Sequence, residues 1–592
     1  MNRFLSIIFV LLSFTSIAQV DEWATFYELS GNKETPRYRE TMDYCKRLEM
    51  NSKWVHLTSF GKSGEGRNLP LMIIDNRGLT DPTAIKASGK LVLLIQACIH
   101  PGECEGKDAG LMLIRDIVIH KKFPGLLDHI SILFIPIFNV DGHERFGPYN
   151  RINQNGPREM GWRVSANNLN LNRDYLKADS PEMQAWLKMF NDWMPDFFID
   201  SHTTDGADYQ YVLTYQMELY GDMDPGLTEW SKNIFLTDWS TQLEEAGFPV
   251  FPYIEFRNWH DPESGIEFSV GPPMLSQVYT SLRNRPGLLL ETHMLKPYQQ
   301  RVSATYEAMK VTLGILGKES GNLKRMIRQA DENVAGMDFR NSPFPLRFET
   351  LSDSTMVNFL GIDYKKLKSE ITGEDYYQYG KTKSTFRIPV FNKTKPVSFA
   401  RLPEAYIIPA EWKTVIERLE LHGIKVKRLS KDTTLTITTW KFSNPKWQSN
   451  PFEGRHPLTA FESKEITVSR DFQAGSAIVD MAQPGAKIIV HLLEPKGNGS
   501  FLYWGLFDAI FEQKEYAENY IMEMMATKML AEDPSLRTEF EKKKTGDTVF
   551  AKNPNSILNW FYSKTPYWDS HKDVYPIGKI FDRKCVDGLR FQ

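Results

Sequence analysis

Four apolar runs punctuate the first half of the chain. Leu91–Ile99 is almost wholly apolar, as expected of a central parallel strand covered on both faces. Ser131–Phe138, Phe197–Ser201 and Pro286–Glu291 repeat the pattern. Between them lie segments with helical spacing. Ala109, Met112, Leu113, Ile117 and Ile119 share a face in Gly106–His120. Met183, Trp186, Leu187, Phe190 and Trp193 do so in a helix opened by Ser180-Pro181. Further helices are expected near Trp239–Ala246 and over Ser303–Leu316. Phe60–Arg67, rich in glycine but without a GxxxxGK[ST] spacing, reads as a hairpin turn before the strand Leu69–Asp75. Strands alternating with helices predict an α/β fold: a mainly parallel or mixed sheet flanked by helices.

The pattern changes after about residue 320. Residues 345–404 are rich in Thr, Tyr, Phe and Lys and read as strands. A β–α–β unit follows: Tyr406–Ile408, a helix from Ala410 to His422 ended by Gly423, and Ile424–Leu429. Thr434–Val490 alternates as exposed antiparallel strands do, and Leu502–Phe511 and Tyr516–Leu530 read as helical. The organisation expected is a signal segment over 1–18, a catalytic unit over 19–320, and an accessory region over 321–592, β-rich and then mixed α+β.

The 592 residues are too many for one ordinary core, and 41% apolar content with 12% aromatic content indicates a folded chain. A net charge of −3 with both signs interleaved gives no support for a nucleic-acid or anionic-membrane partner. Arg3, the short apolar run Phe4–Phe14 and Ser16-Ile17-Ala18 before Gln19 form an export signal pattern, too short to span a bilayer. No later segment reads as a membrane span, so the mature protein is expected to be exported, periplasmic or secreted. Cys98 and Cys104 flank a Pro-Gly turn, yet no CxxC or Cys–His spacing completes a site. They read as packing residues.

Candidate chemistry falls at the ends of the apolar runs. His100-Pro-Gly-Glu103 follows the first, His202 the third, and Glu291 closes the fourth. In an open parallel sheet ligands gather beyond the carboxyl ends of the strands, so one crevice can collect all four. His100, Glu103 and His202 form a three-ligand set suited to one Zn²⁺ ion with a position left open. Glu291 then stands as a general base. Arg163, with Arg151 as rival, suits a developing oxyanion, and Arg173 with Asn172 suits a carboxylate. His143 and His293 compete with His202 as ligands.

These segments resemble the zinc carboxypeptidases of the carboxypeptidase A-like (funnelin, M14) metallopeptidase family. The resemblance rests on His100-Pro-Gly-Glu103, Leu169-Asn-Leu-Asn-Arg173, Asp200-Ser-His202 and Leu288-Leu-Leu-Glu291, with Phe60–Arg67 and Phe138-Asn-Val-Asp-Gly142 in support, and covers roughly residues 25–318. It implies zinc ligands at His100, Glu103 and His202, a base at Glu291 and an oxyanion arginine at Arg163. It also implies terminal-carboxylate binders at Asn172 and Arg173, and a substrate-binding tyrosine, for which Tyr279 is the candidate. The function implied is hydrolysis at the free carboxyl terminus of a peptide or peptide-like substrate. Two alternatives remain: an amidase acting on peptidoglycan stem peptides or acylated amino acids, and an inactive binding protein using the C-terminal region.

Overall fold

The computed structural model describes residues 21–592, so the expected signal segment lies outside the described residues. An eight-stranded mixed sheet organises the first half. Its strands are β1 (Val55–Lys62), β2 (Asn68–Ile74), β3 (Leu91–Gln96), β4 (Ile130–Ile135), β5 (Phe197–Thr204), β6 (Leu213–Gln216), β7 (Val250–Pro252) and, after the two-residue β8 (Ile266–Glu267), β9 (Gly287–His293). The order across the sheet is β1-β2-β4-β3-β5-β9-β6-β7. β4, β3, β5 and β9 run parallel at its centre, while β1 and β2 form an antiparallel hairpin.

Side chains of the central strands alternate between two cores because the strand period is two. Val92 and Leu94 enter one core, whereas Leu91, Leu93 and Ile95 enter the other. The second core is roofed by the helices Glu105–Val118 and Tyr298–Ala335. The first receives Trp186, Leu187 and Phe190 from the helix Pro181–Trp193, then continues without a break into Tyr406, Val415 and Leu492 of the C-terminal half. One apolar core therefore joins the catalytic sheet to residues two hundred positions further on. The fold class expected from the strand pattern, a mainly parallel or mixed sheet flanked by helices, is the architecture observed.

Some expectations are corrected. The helix foreseen over Ser303–Leu316 runs from Tyr298 to Ala335, past residue 320, because Leu323, Ile327, Ala330 and Val334 continue its buried stripe between charged residues. The C-terminal half holds β10 (Phe344–Thr350), β11 (Thr355–Lys368), β12 (Asp375–Phe391) and β13 (Thr394–Ala400), with β12 pairing parallel to β8. It also holds β14 (Ala405–Ile408), β15 (Lys427–Arg428), β16 (Thr433–Trp447), β17 (Leu458–Phe472), β18 (Ala477–Asp480) and β19 (Gly578–Ile580), in the order β15-β18-β14-β19-β16-β17. Ala486–Val490, expected as the end of the alternating strand region, belongs instead to the fully buried helix Ala486–Leu493, where Ile488, Ile489, Leu492 and Leu493 recur at helical spacing and enter the core. Leu502–Phe511 forms turns and a short 3₁₀ segment instead of a helix. No helix among the described residues is long and apolar enough to cross a membrane.

Candidate active site

β3 ends at Gln96, and four residues later His100 starts a tight turn in which the Glu103 N–H donates to the His100 carbonyl at 2.9 Å. The turn feeds the helix Glu105–Val118 and leaves both side chains buried at the carboxyl edge of the sheet. β5 and β9 bring the rest. Their parallel register sets His202 directly beside Glu291.

His100, Glu103 and His202 converge, with one donor atom from each lying within 4.8 Å of the others. His100 Nδ1 lies 3.1 Å from Glu103 Oε1, and His202 Nδ1 lies 2.9 Å from Glu103 Oε2. Each imidazole is held from behind: His100 Nε2 donates to Asn170 Oδ1 and His202 Nε2 to Asp200 Oδ2, both at 2.9 Å. Those acceptors keep the proton on Nε2 and leave the Nδ1 lone pair facing inward, the tautomer a metal ligand needs. Two imidazoles and a carboxylate match the donor set of a catalytic zinc site. The residues fit the ion.

Charge is strongly perturbed here. Burial pushes the His100 pKa down to about 4 against the pull of Glu103. Burial alone would raise Glu103, but Arg151 and the two histidines hold it well below the usual carboxylate range. For His202, burial is outweighed by Asp200 and Glu103, which hold its pKa well above the ordinary value. Glu291 is pushed up to about 8, by burial first and with Glu103 adding to it against His202. Its Oε2 is buried with no hydrogen-bond partner among the described residues. A carboxylate oxygen in that state is free to meet a water or a substrate proton.

A cavity of about 640 Å³ opens over these groups. His100, Glu103, His202, Glu291, Arg151, Arg163, Asn172 and Arg173 all line it. Arg151 makes a close ion pair with Glu103 and its side chain is only 17% exposed, whereas Arg163 stands 3.3 Å from the same carboxylate with 45% exposed. Arg163 is thus the freer to reach a bound carbonyl. Asn172 Oδ1 accepts the Ser276 N–H, and the Asn172 carbonyl accepts from Arg173 at 2.8 Å, which steadies the pair.

Residues 41–216 match the family model for zinc carboxypeptidases. These residues carry a zinc carboxypeptidase domain. That stretch contains His100, Glu103, Arg163, Asn172, Arg173 and His202, while Glu291 lies beyond it. Carboxypeptidase 2 of Trichophyton rubrum is 24% identical over 504 residues, covering 81% of this chain and 85% of the relative. Carboxypeptidase 2 of Trichophyton tonsurans is equally similar, at 24% over 505 residues and the same shares of each chain. Among solved structures, the carboxypeptidase A from Helicoverpa armigera is 16% identical, covers 48% of this chain and 74% of its own, and has a TM-score of 0.36.

One expected site residue is displaced. Tyr279 does not line the cavity: it is fully buried, its ring packs beside Tyr175 and Trp186, and its hydroxyl lies 2.9 Å from His422 Nδ1. It belongs to the helix Ser276–Leu282, all of whose side chains are buried. The tyrosine that faces the cavity is Tyr253, just past β7. The competing histidines are engaged elsewhere, His143 with Lys107 and Glu144, and His293 with the Ala207 carbonyl. Cys98 and Cys104 are buried, unbridged and outside the ligand set. Sequence reading also passed over Asn170 and Asp200 as supports of the ligands, although both stand inside the motifs that identified the site.

Proposed function

We propose that this protein is an exported carboxypeptidase that removes residues from the carboxyl termini of peptides, with Glu291 as its general base. The observation that carries the reading is that Asn172 and Arg173 share one cavity with His100, Glu103, His202 and Glu291. A reaction centre beside a carboxylate clamp suits cleavage next to a chain end.

His100, Glu103 and His202 would hold a zinc ion, which would supply Lewis acidity to the site. The Arg173 guanidinium donates two parallel N–H bonds to the terminal carboxylate and so fixes which bond faces Glu291. Glu291 takes the proton of the attacking water through its unpartnered Oε2 and returns it to the leaving amine. Arg163 donates to the carbonyl oxygen as negative charge builds there. Tyr253 and Trp162 are the aromatic groups on the cavity wall, and the Tyr253 hydroxyl is available to hydrogen-bond the bound residue. Arg3, the apolar run Phe4–Phe14 and Ser16-Ile17-Ala18 support export, and a mature chain found to begin at Met1 inside the cell would overturn that part.

The test pairs each peptide of a panel with its C-terminally amidated twin, with and without a chelator, read by mass spectrometry. Sequential loss of C-terminal residues from free-acid peptides, abolished by chelation, is the expected result. Equal turnover of the amidated twins would sink the exopeptidase reading and favour an amidase.

A further inference from the structure

The segment Asn170–Arg173 is met by one side chain from far along the chain. Glu453 Oε2 accepts the Asn170 backbone N–H at 2.9 Å across 283 residues of sequence. Asn170 is the pivot of the site: its Oδ1 lies 2.9 Å from His100 Nε2 and accepts the Asn172 N–H at 3.0 Å. Where burial and Arg163 disfavour the charge on Arg173, the Glu453 carboxylate favours it.

Glu453 sits at the tip of a two-residue hairpin turn between Phe452 and Arg455, which exchange backbone hydrogen bonds at 2.8 and 3.1 Å. Both tip residues have positive φ, 51° at Glu453 and 77° at Gly454. Asn and Gly tolerate that conformation; a glutamate rarely adopts it. A turn that served only to reverse the chain would carry Asn or Gly at 453. Strain of this kind persists where the surroundings over-determine it, and here they do. Phe452 stacks on Trp504 at 6.0 Å, and Arg455 grips both Asp179 carboxylate oxygens at 2.7 and 2.8 Å. Asp179 lies just beyond Asp174, whose carboxylate accepts the Asp179 and Ser180 N–H groups and pairs with Lys177.

We infer that Glu453 is a positioning residue for the active site: the C-terminal region holds its carboxylate on a strained turn so that it sets the Asn170–Arg173 segment, and through it the orientation of His100 and the presentation of Arg173. The inference rests on the proposed roles of His100 and Arg173. It gives the C-terminal region a part in the chemistry.

Glu453→Gly tests this without sacrificing the fold, because glycine relieves the backbone strain while removing the carboxylate. The zinc-loaded full chain should melt at the parental temperature or above it. It should release zinc to a chelator about tenfold faster, the usual scale for losing support behind a metal ligand. Its KM for a free-carboxylate peptide should rise severalfold relative to the amidated twin. Glu453→Gln, which keeps an acceptor for the Asn170 N–H, should restore zinc retention. Parental zinc release and KM in Glu453→Gly would overturn the inference, and so would faster zinc release that only tracked a lower melting temperature. If the parent cleaves no peptide, the proposed function fails, while the zinc-release arm still judges Glu453.

Discussion

Asp200 Oδ2 lies 2.9 Å from His202 Nε2, two residues away on the same face of β5. The strand period makes the pairing automatic. The other Asp200 oxygen accepts from Gln96 Nε2 at 3.1 Å, so the carboxylate is anchored by the neighbouring strand β3 before it orients the imidazole. Replacing Asp200 by Ala should weaken zinc binding about 10–100-fold, as loss of such outer partners does in other sites. Competition with a fluorescent chelator measures it, and unchanged affinity would remove Asp200 from the metal-binding machinery.

Glu291→Gln keeps the shape of the side chain and removes the proposed base. Proton transfer by a placed carboxylate contributes about 10²–10⁴-fold, so kcat should fall by that factor while zinc content holds. Because none of the three ligand donors comes from Glu291, metal analysis of the variant separates loss of the base from loss of the ion. A variant with parental kcat would require a different proton acceptor.

Arg173→Ala should lower kcat/KM for free-carboxylate peptides by about 10²-fold, the scale of losing charge-assisted hydrogen bonds worth roughly 3 kcal/mol. Amidated peptides, which offer no carboxylate, should be cleaved as slowly as before. If both classes lose activity equally, the arginine acts on the fold or on the metal instead of on the chain end.

The two tyrosines separate packing from binding. Tyr279→Phe leaves His422 Nδ1 without its partner in a buried setting, a loss of about 1–3 kcal/mol of stability, with KM unchanged. Tyr253→Phe should do the reverse, raising KM with little effect on the melting temperature, because Tyr253 lines the cavity and is only partly buried. Paired melting and kinetic measurements decide it; a KM change in Tyr279→Phe would return that residue to the site.

That exchange shows how far the sequence alone carries the site. His100, His202 and Glu291 are legible because each stands at the end of an apolar run, with Glu103 three residues past His100, and parallel strands gather their carboxyl ends. Order along the chain points to Tyr279 but does not report the face of a helix, and its apolar neighbours Val278 and Leu282 are the sign of burial that the sequence carries. The Glu453–Asn170 contact has no sequence signal at all, since a single long-range hydrogen bond imposes no period on either segment. The helix through Ala335 was cut short because Lys318–Gln329 is crowded with polar residues, while its stripe of Leu323, Ile327 and Ala330 is narrow.

A last prediction concerns stability and pH away from the metal. Glu218 is 5% exposed, and its two oxygens accept the Gly271 and Tyr220 N–H groups at 3.1 and 3.4 Å. Burial pushes its pKa up to about 8, with the Gly271 N–H opposing and nearby Asp222 reinforcing the shift. The folded state therefore holds this proton across a pH range where the unfolded chain, with a value near 4.5, has released it. Stability is undiminished below about pH 4.5 and falls as pH rises towards 8. At about 1.4 kcal/mol per unit, the loss is at most roughly 4–5 kcal/mol. Glu218→Gln removes the titration, so its unfolding free energy relative to the parent should climb steadily between those limits. Denaturant unfolding at a series of pH values measures the difference, and parallel curves for the two proteins would show that Glu218 is not the group responsible.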